Sequence, residues 1–413
     1  MTAGALPQGW RGVVLGDVAS ISRGASPRPI ASPRWFSDTS DVGWVRISDL
    51  GRSDGLTLES TTQRLSPDGI ARSRFLPPGT LILSIAATVG VPIITAIPAC
   101  IHDGFVSVEN LKGIDQTYLF YVLKAAQDEL RTAGQTGSQS NINSEIVRRL
   151  PVALPPLGEQ RAIVDALRDS DQVVIGLKHL IAKKQQVKQG MVQQFFDGAT
   201  RAPVGGNGAR AEREEQQLGK LLLRSPRYGI NAAAVPLTSR TPTYVRITDI
   251  DDSGRFSPKV GVSHPKSDDY RLSQGELVFA RTGASVGKSY LYDPRDGELV
   301  YAGFLINIAP DPQVLNPAYF ALFAQTKGYW DWVARTSVRS GQPGINGREF
   351  AQLPIYVPEI EEQNVIASVV SEIDAEITTL GRRLDKARLI KDAMARELLT
   401  GRMRLPVTRG LHE

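Results

Sequence analysis

The chain has 413 residues, 41% of them hydrophobic and 22% charged, which excludes a disordered or fibrous polymer and leaves room for two to four domains. Forty-eight Lys and Arg stand against 43 Asp and Glu; the net +5 gathers mainly in residues 199–356, and no segment forms a basic arm, so charge alone does not assign an anionic partner. Cys100 is the single cysteine, which excludes an intramolecular disulfide and a zinc–cysteine cluster, and the opening MTAGALPQGW lacks a secretion signal, so a cytoplasmic location is expected.

In chain order, residues 75–102 carry no Asp, Glu, Lys or Arg. Prolines and glycines cut this stretch into short runs rich in Ile, Val and Thr, among them TLILSIAA (80–87), so it reads as buried strands with tight turns rather than a membrane span. A short helix is expected over Tyr118–Arg131 and a long one from about 159 to 196, after Pro155-Pro156 and with glycine at Gly198. A glycine-rich segment, GATRAPVGGNGAR (198–210), lets the chain turn into a second domain. There, ELVFA (276–280) and FLINIA (304–309) are strands, Pro317–Ala334 is a helix, and a second long helix follows Pro358 and ends at Gly401.

This order is a duplication. LPPLGEQ (154–160) returns as VPEIEEQ (357–363) at an offset of 203. WVRISDL (44–50) returns as YVRITDI (244–250) at 200, and Gly104-Phe105 matches Gly303-Phe304 at 199. A period near 200 is too long for a solenoid and describes one domain-plus-helix unit present twice, 15–198 and 218–401. In the first long helix, alternate steps of four and three run through Ile163, Leu167, Val174, Leu177, Ile181, Met191 and Phe195. The same steps in the second run through Ile366, Val370, Leu380, Leu384, Met394 and Leu398, with Lys188 and Lys391 interrupting both at equivalent points. These are coiled-coil seams, each about 57 Å long at roughly 1.5 Å per residue. The expected fold class is α+β: two α/β domains separated by two long antiparallel coiled-coil helices, with an internal pseudo-twofold repeat. The segments are 1–150, 151–198, 199–356 and 357–413.

Duplicated domains with LPPLGEQ-type helix starts, LGDVASISRGASP, GQTGSQSNIN (134–143), VRSGQPGIN (338–346), ARTGASVGKS (280–289) and the helix ends QQFFDG and RELLTG resemble the DNA-specificity subunit of Type I restriction–modification enzymes. The resemblance implies two target-recognition domains that read the halves of a bipartite, asymmetric site on double-stranded DNA. It also implies helices that set the spacer and dock two modification (methyltransferase) subunits, with restriction/translocase subunits joining the complex. The chain itself is then not an enzyme; S-adenosylmethionine, ATP and Mg are expected on the partners, and no metal or membrane on this chain. The recognition subunit of a related system cutting on both sides of its site is the alternative. Lengthening a long helix by about four residues, one turn, is expected to lengthen the spacer.

Candidate DNA contacts are Arg23, Arg28 and Arg34 in a Gly/Pro/Ser loop, Gln139, Asn141 and Gln342 in the two polar loops, Arg227 and Arg281, and Thr282, Ser285 and Lys288 in a turn facing phosphate. Arg46 and Arg246, at equivalent strand positions, are assigned a shared structural role. Candidate spacer and docking residues are Glu159, Gln160, Ile163, Leu177, Ile181 and Met191, and Glu362, Gln363, Ile366, Leu380, Leu384 and Met394. Two fragments imitate enzymes. GASVGKS (283–289) has one residue too few for a phosphate-binding P-loop and is followed by a strand-like SYLYD, so nucleotide hydrolysis is the rival reading rather than the favoured one. Asn316-Pro317-Ala318-Tyr319 approaches a methyltransferase motif, yet a helix N-cap followed by proline explains it.

Overall fold

A computed structural model describes residues 6–133, 142–196, 214–338 and 342–406. The chain divides into two compact units, Met1–Lys178 with Arg383–Glu413, and His179–Arg382.

In the first unit, a five-stranded sheet runs in the order Ser20–Arg23, Phe105–Glu109, Leu81–Ser84, Pro92–Thr95, Thr57–Leu58. A four-stranded sheet runs Gln63–Arg64, Gly43–Val45, Ala99–Ile101, Arg74–Leu76. The uncharged stretch supplies central strands whose residues are mostly buried, which is why charge is missing there. Alternation along the strands separates two cores. Leu81, Leu83, Val106 and Val108 pack on Leu119, Leu123, Ile163 and Leu167, together with Leu398 and Leu399 from the end of the second long helix. Ile82, Ile93 and Phe105, on the other face, pack with Val45, Leu76 and Ile101.

The second unit repeats this plan. Arg227–Tyr228, Leu305–Ile308, Leu277–Ala280 and Ser289–Leu291 form one sheet, and Ala234–Val235, Gly261–Val262, Thr243–Val245 and Leu299–Tyr301 another. Leu277, Phe279, Ile306 and Ile308 pack on Phe320, Tyr329 and Phe350, with Val192 and Phe195 from the first long helix and Ile366 and Val370 from the second. Pairing makes the duplication residue-specific: Trp44 lies opposite Cys100 as Tyr244 lies opposite Val300, and Phe105 opposite Ser84 as Leu305 opposite Ala280. The geometric counterpart of Phe105 is therefore Leu305, so the match of Gly104-Phe105 to Gly303-Phe304 is displaced by one residue.

Each expected short helix is broken in two: Gln116–Ala125 and Gln127–Ala133 in one unit, Pro317–Phe323 and Lys327–Thr336 in the other. Thr326 starts the last of these afresh, its hydroxyl accepting from the Tyr329 amide at 3.3 Å. Asn316 is the expected N-cap, accepting from the Ala318 and Tyr319 amides at 2.8 and 3.0 Å with Pro317 in the first turn.

The long helices run Leu157–Phe196 and Ile360–Leu399, and every expected seam position is buried or half-buried. The lysines that interrupt the seam are paired. In the second unit Lys188 Nζ lies 2.7 Å from Asp374, and Lys184 2.7 Å from Glu376; in the first, Lys391 pairs with Asp171. Within each unit these pairs join one helix to the other running the opposite way. Each compact unit holds the start of one long helix and the end of the other, because both ends bury their apolar side chains in the same core. A domain followed by its own whole helix is the linear repeat, not the packed one. Gly401 has a φ of +75°, suited to the end of the second helix; its counterpart Gly198 and the segment 198–210 lie outside the described residues.

Candidate nucleic-acid interface

In the first unit the candidate loop begins at Gly24. Its amide donates to the Phe105 carbonyl at 2.9 Å and its α-carbon lies so close to the strand that a β-carbon would stand 2.1 Å from the His102 oxygen. Only glycine allows the loop to leave the sheet here. The loop then converges on Asp103. Ser26 Oγ donates to its carboxylate at 2.7 Å, Arg28 Nη2 reaches it at 3.3 Å, and Arg23 Nε donates to its backbone carbonyl at 2.9 Å. The Ser26 hydroxyl, with help from His102 and Arg28, holds this carboxyl below the ordinary range. Arg34 is apart from them, its guanidinium 3.8 Å from the centre of the Trp35 ring.

Beside Asp103 opens a cleft of about 600 Å³ that also reaches Arg46, Gln63 and His102. Burial depresses the basicity of His102, and its Nδ1 accepts from the Gly104 amide at 2.6 Å, leaving Nε2 as the proton-bearing nitrogen of a neutral ring. Gln63 and His102 carry no signal in the sequence because they meet Arg46 only across separated strands and turns. Gln139 and Asn141 lie outside the described residues.

In the second unit the structure brings most of the candidates together. Arg227–Tyr228 pairs with Leu305–Ile308, whose other neighbour, Leu277–Ala280, leads to Arg281, and the Arg281 guanidinium lies 4.8 Å from the centre of the Tyr228 ring. Arg281 Nε is buried with no hydrogen-bond partner among the described residues. Thr282 bridges to Gly344, the Gly283 amide donates to the Pro343 carbonyl at 3.0 Å, and Gln342 is exposed beside them. Gly283–Ser285 forms a 3-10 turn that runs into the strand Ser289–Leu291, so no helix follows to hold a nucleotide phosphate. Lys288, expected to face phosphate, instead pairs with Asp252 at 2.8 Å.

Arg46 and Arg246 share a backbone role only. Each starts a 3-10 turn, its amide donating to the buried carboxylate of Asp49 or Asp249 at 2.9 and 3.2 Å. Their side chains diverge, which corrects the expectation of one shared role.

At the helix starts, the expected docking residues Gln160 and Gln363 are wholly buried and serve their own units. Gln160 accepts from the Asp115 amide at 2.7 Å and donates to the Gly113 and Pro155 carbonyls; Gln363 accepts from the Asn316 amide at 2.8 Å and donates to the Val314 and Pro358 carbonyls. Ile163 and Ile366 are buried beneath them, so these four present nothing to a partner subunit. Leu380 and Leu384 are buried and Leu177, Ile181, Met191 and Met394 half-buried along the seam, while Glu362 precedes Gln363 at the start of the second helix.

Glu159 accepts from the Trp10 indole at 3.0 Å and is gripped by Arg404 at 2.8 and 2.9 Å, tying the start of the first long helix to residues before and after the unit's core. Arg404 holds the Glu159 carboxyl below its ordinary range. The folded state therefore binds this proton less readily than the unfolded chain, and the tie stabilises at neutral pH and fades as pH falls through the carboxylate range. Glu159→Gln is expected to lower the unfolding temperature at pH 7 and to leave it near that of the parent at about pH 3, as thermal scans at both pH values would read out.

Among the described residues no group of three His, Cys, Asp or Glu is placed to hold a metal ion, and no helix is long and apolar enough to cross a membrane. The sequence matches the family described as Type I restriction modification DNA specificity domain over residues 7–189 and 244–387. It is 19% identical over 438 aligned positions to the Type I restriction enzyme StySPI specificity subunit of Salmonella potsdam, covering 99% of this chain and 91% of that protein. A match to the MjaIX specificity subunit of Methanocaldococcus jannaschii, 19% identical over 197 residues, covers 47% of this chain and 44% of that one. The fold is that of the S subunit of a Type I restriction–modification system from M. genitalium, with a TM-score of 0.57, 13% identity and 97% and 98% of the two chains covered.

Proposed function

Since the chain belongs to the Type I restriction modification DNA specificity family, we propose that it reads a bipartite, asymmetric target on double-stranded DNA and brings two modification subunits and the restriction/translocase subunits to it. Each unit reads one half-site, and the two long helices fix the spacer and carry the partner subunits. The chemistry belongs to those partners, which hold S-adenosylmethionine, ATP and Mg; this chain supplies position and sequence choice.

The observation that carries this reading is one scaffold built twice with different side chains exposed on it. The central pairings recur, Phe105–Glu109 with Leu81–Ser84 as Leu305–Ile308 with Leu277–Ala280, and Gly43–Val45 with Ala99–Ile101 as Thr243–Val245 with Leu299–Tyr301, while the first unit offers Arg23, Arg28 and Asp103 and the second offers Arg227, Tyr228, Arg281 and Gln342 at its candidate surface. Two identical readers on a twofold axis would select a palindrome; two unlike readers select halves that differ.

Methylome mapping of cells expressing this chain with its modification partner tests the proposal. A split, non-palindromic methylated site is expected. Exchanging residues 1–150 for another recognition domain should change one half-site and leave the other and the spacer intact. Random methylation, or a change in both halves after the exchange, would overturn it. A DNA-independent ATPase lost on Lys288→Ala would replace it with the hydrolase reading.

A further inference from the structure

We propose that Arg46 and Gln63 are a base-reading pair that selects a guanine in the first half-site, whereas Arg246 at the equivalent position takes no part in reading the second. The inference rests on the DNA-reading function proposed above.

The two copies provide an internal control. Arg46 and Arg246 have the same extended backbone, φ −118° in both with ψ 164° and 162°. Both stand three residues before an aspartate with a fully buried carboxylate, Asp49 or Asp249. In the second unit that carboxylate captures the guanidinium: Arg246 Nε and Nη2 donate to Asp249 at 2.9 and 3.0 Å. This bidentate pair holds the guanidinium against its own turn.

In the first unit the buried carboxylate is satisfied differently. The Thr62 amide and hydroxyl both donate to Asp49, at 2.9 and 2.5 Å, and Arg52 Nε lies 3.8 Å away. Arg46 is released into the cleft, where its Nη1 donates to Gln63 Oε1 at 2.9 Å. An exposed Arg–Gln contact contributes little to folding, and holding two long side chains still costs entropy. The arrangement lacks a structural reason that a nearby carboxylate would not serve better.

Its chemistry is directional. With Oε1 of Gln63 engaged by Arg46, the pair presents the remaining guanidinium N–H groups and the Gln63 amide N–H groups, all donors, toward the cleft. In the major groove guanine offers two adjacent acceptors, N7 and O6, whereas adenine pairs one acceptor with a donor and cytosine presents a donor. A donor-only pair therefore fits guanine and leaves a donor facing a donor at adenine. The cleft has a volume of about 600 Å³, and Trp44 on its wall gives apolar backing.

The test uses the full chain assembled with its modification partner and duplexes carrying the mapped target, with each base pair of both half-sites replaced in turn. Arg46→Ala and Gln63→Ala should each flatten discrimination at one guanine of the first half-site by roughly ten- to hundredfold. Selectivity in the second half-site and the unfolding temperature should be unchanged. Arg46→Lys, which keeps the charge, should retain affinity for the target yet lose that discrimination. Arg246→Ala should lower the unfolding temperature and keep selectivity at both half-sites. Equal weakening of every duplex by Arg46→Ala, as a phosphate contact would give, overturns the inference, as does unchanged discrimination. If the unmutated complex shows no bipartite preference, it is the proposed function itself that fails.

Discussion

Replacing Gly229 by alanine is expected to cost about 3 kcal/mol or more and to lower the unfolding temperature by about 6–12 °C, one of the largest losses available from a single methyl group in this protein. A β-carbon at that position would stand 2.2 Å from the Ala302 oxygen and 2.4 Å from the Tyr301 oxygen, and both are backbone atoms that no rotamer change can move. Relief requires the edge segment to lift from the sheet, which stretches the bonds from the Gly229 and Ile230 amides to the Leu305 and Tyr301 carbonyls, now 3.1 and 3.0 Å. Gly24→Ala should act alike in the first unit and loosen the loop that carries Arg28. Gly190 in the first long helix is the control: nothing lies within 4 Å of its would-be β-carbon, so Gly190→Ala should be neutral or stabilising by up to about 1 kcal/mol. Calorimetry of the three variants decides the matter; a Gly229→Ala protein that melts with the parent would refute the close approach.

Gln363→Leu carries the second large effect, about 3–5 kcal/mol of lost stability. The amide is completely buried, and every bond its side chain makes goes to a backbone group, the Asn316 amide and the Val314 and Pro358 carbonyls. Leucine fills most of the volume but leaves those groups unsatisfied, at about 1–3 kcal/mol each before relaxation. Gln160→Leu repeats the experiment on the Asp115, Gly113 and Pro155 groups. Denaturant titration of the full chain measures the loss. The outcome also separates two roles: a residue that docks a partner would weaken assembly and leave the free chain's stability intact, whereas these glutamines should lower stability of the chain alone.

Legibility in the sequence followed the range of the interaction. The long helices, their seams and the Asn316 cap rest on contacts within a few residues or on a repeated pattern, and all are present in the fold. The lysines at 188 and 391 were readable as breaks in the seam, but their partners Asp374 and Asp171 lie on the other helix, where no spacing rule along one strand of sequence points. The cleft was hidden for the same reason: Arg46 meets Gln63 across paired strands, and the Ser26–Asp103 contact joins residues on a loop and a distant turn. The glutamine of the repeated Glu-Gln looked like surface because polar residues at a helix start usually are; its burial depends on three carbonyls and amides supplied by other segments. For Arg46 and Arg246 the repeat carried as far as the shared backbone role, while the side chains part where Thr62 donates to Asp49 in place of the arginine.

The lysine–aspartate pairs also fix the register of the helices within each unit. The stretch from Asp171 to Lys188 in one helix equals the stretch from Asp374 to Lys391 in the other, and each lysine finds its aspartate within its own unit. Sliding one helix against the other by a single turn inside a unit would set a half-buried charge against apolar seam instead of its counter-ion, a costly arrangement. Two ion pairs that contribute modestly to stability thus write the same alignment twice, once in each unit.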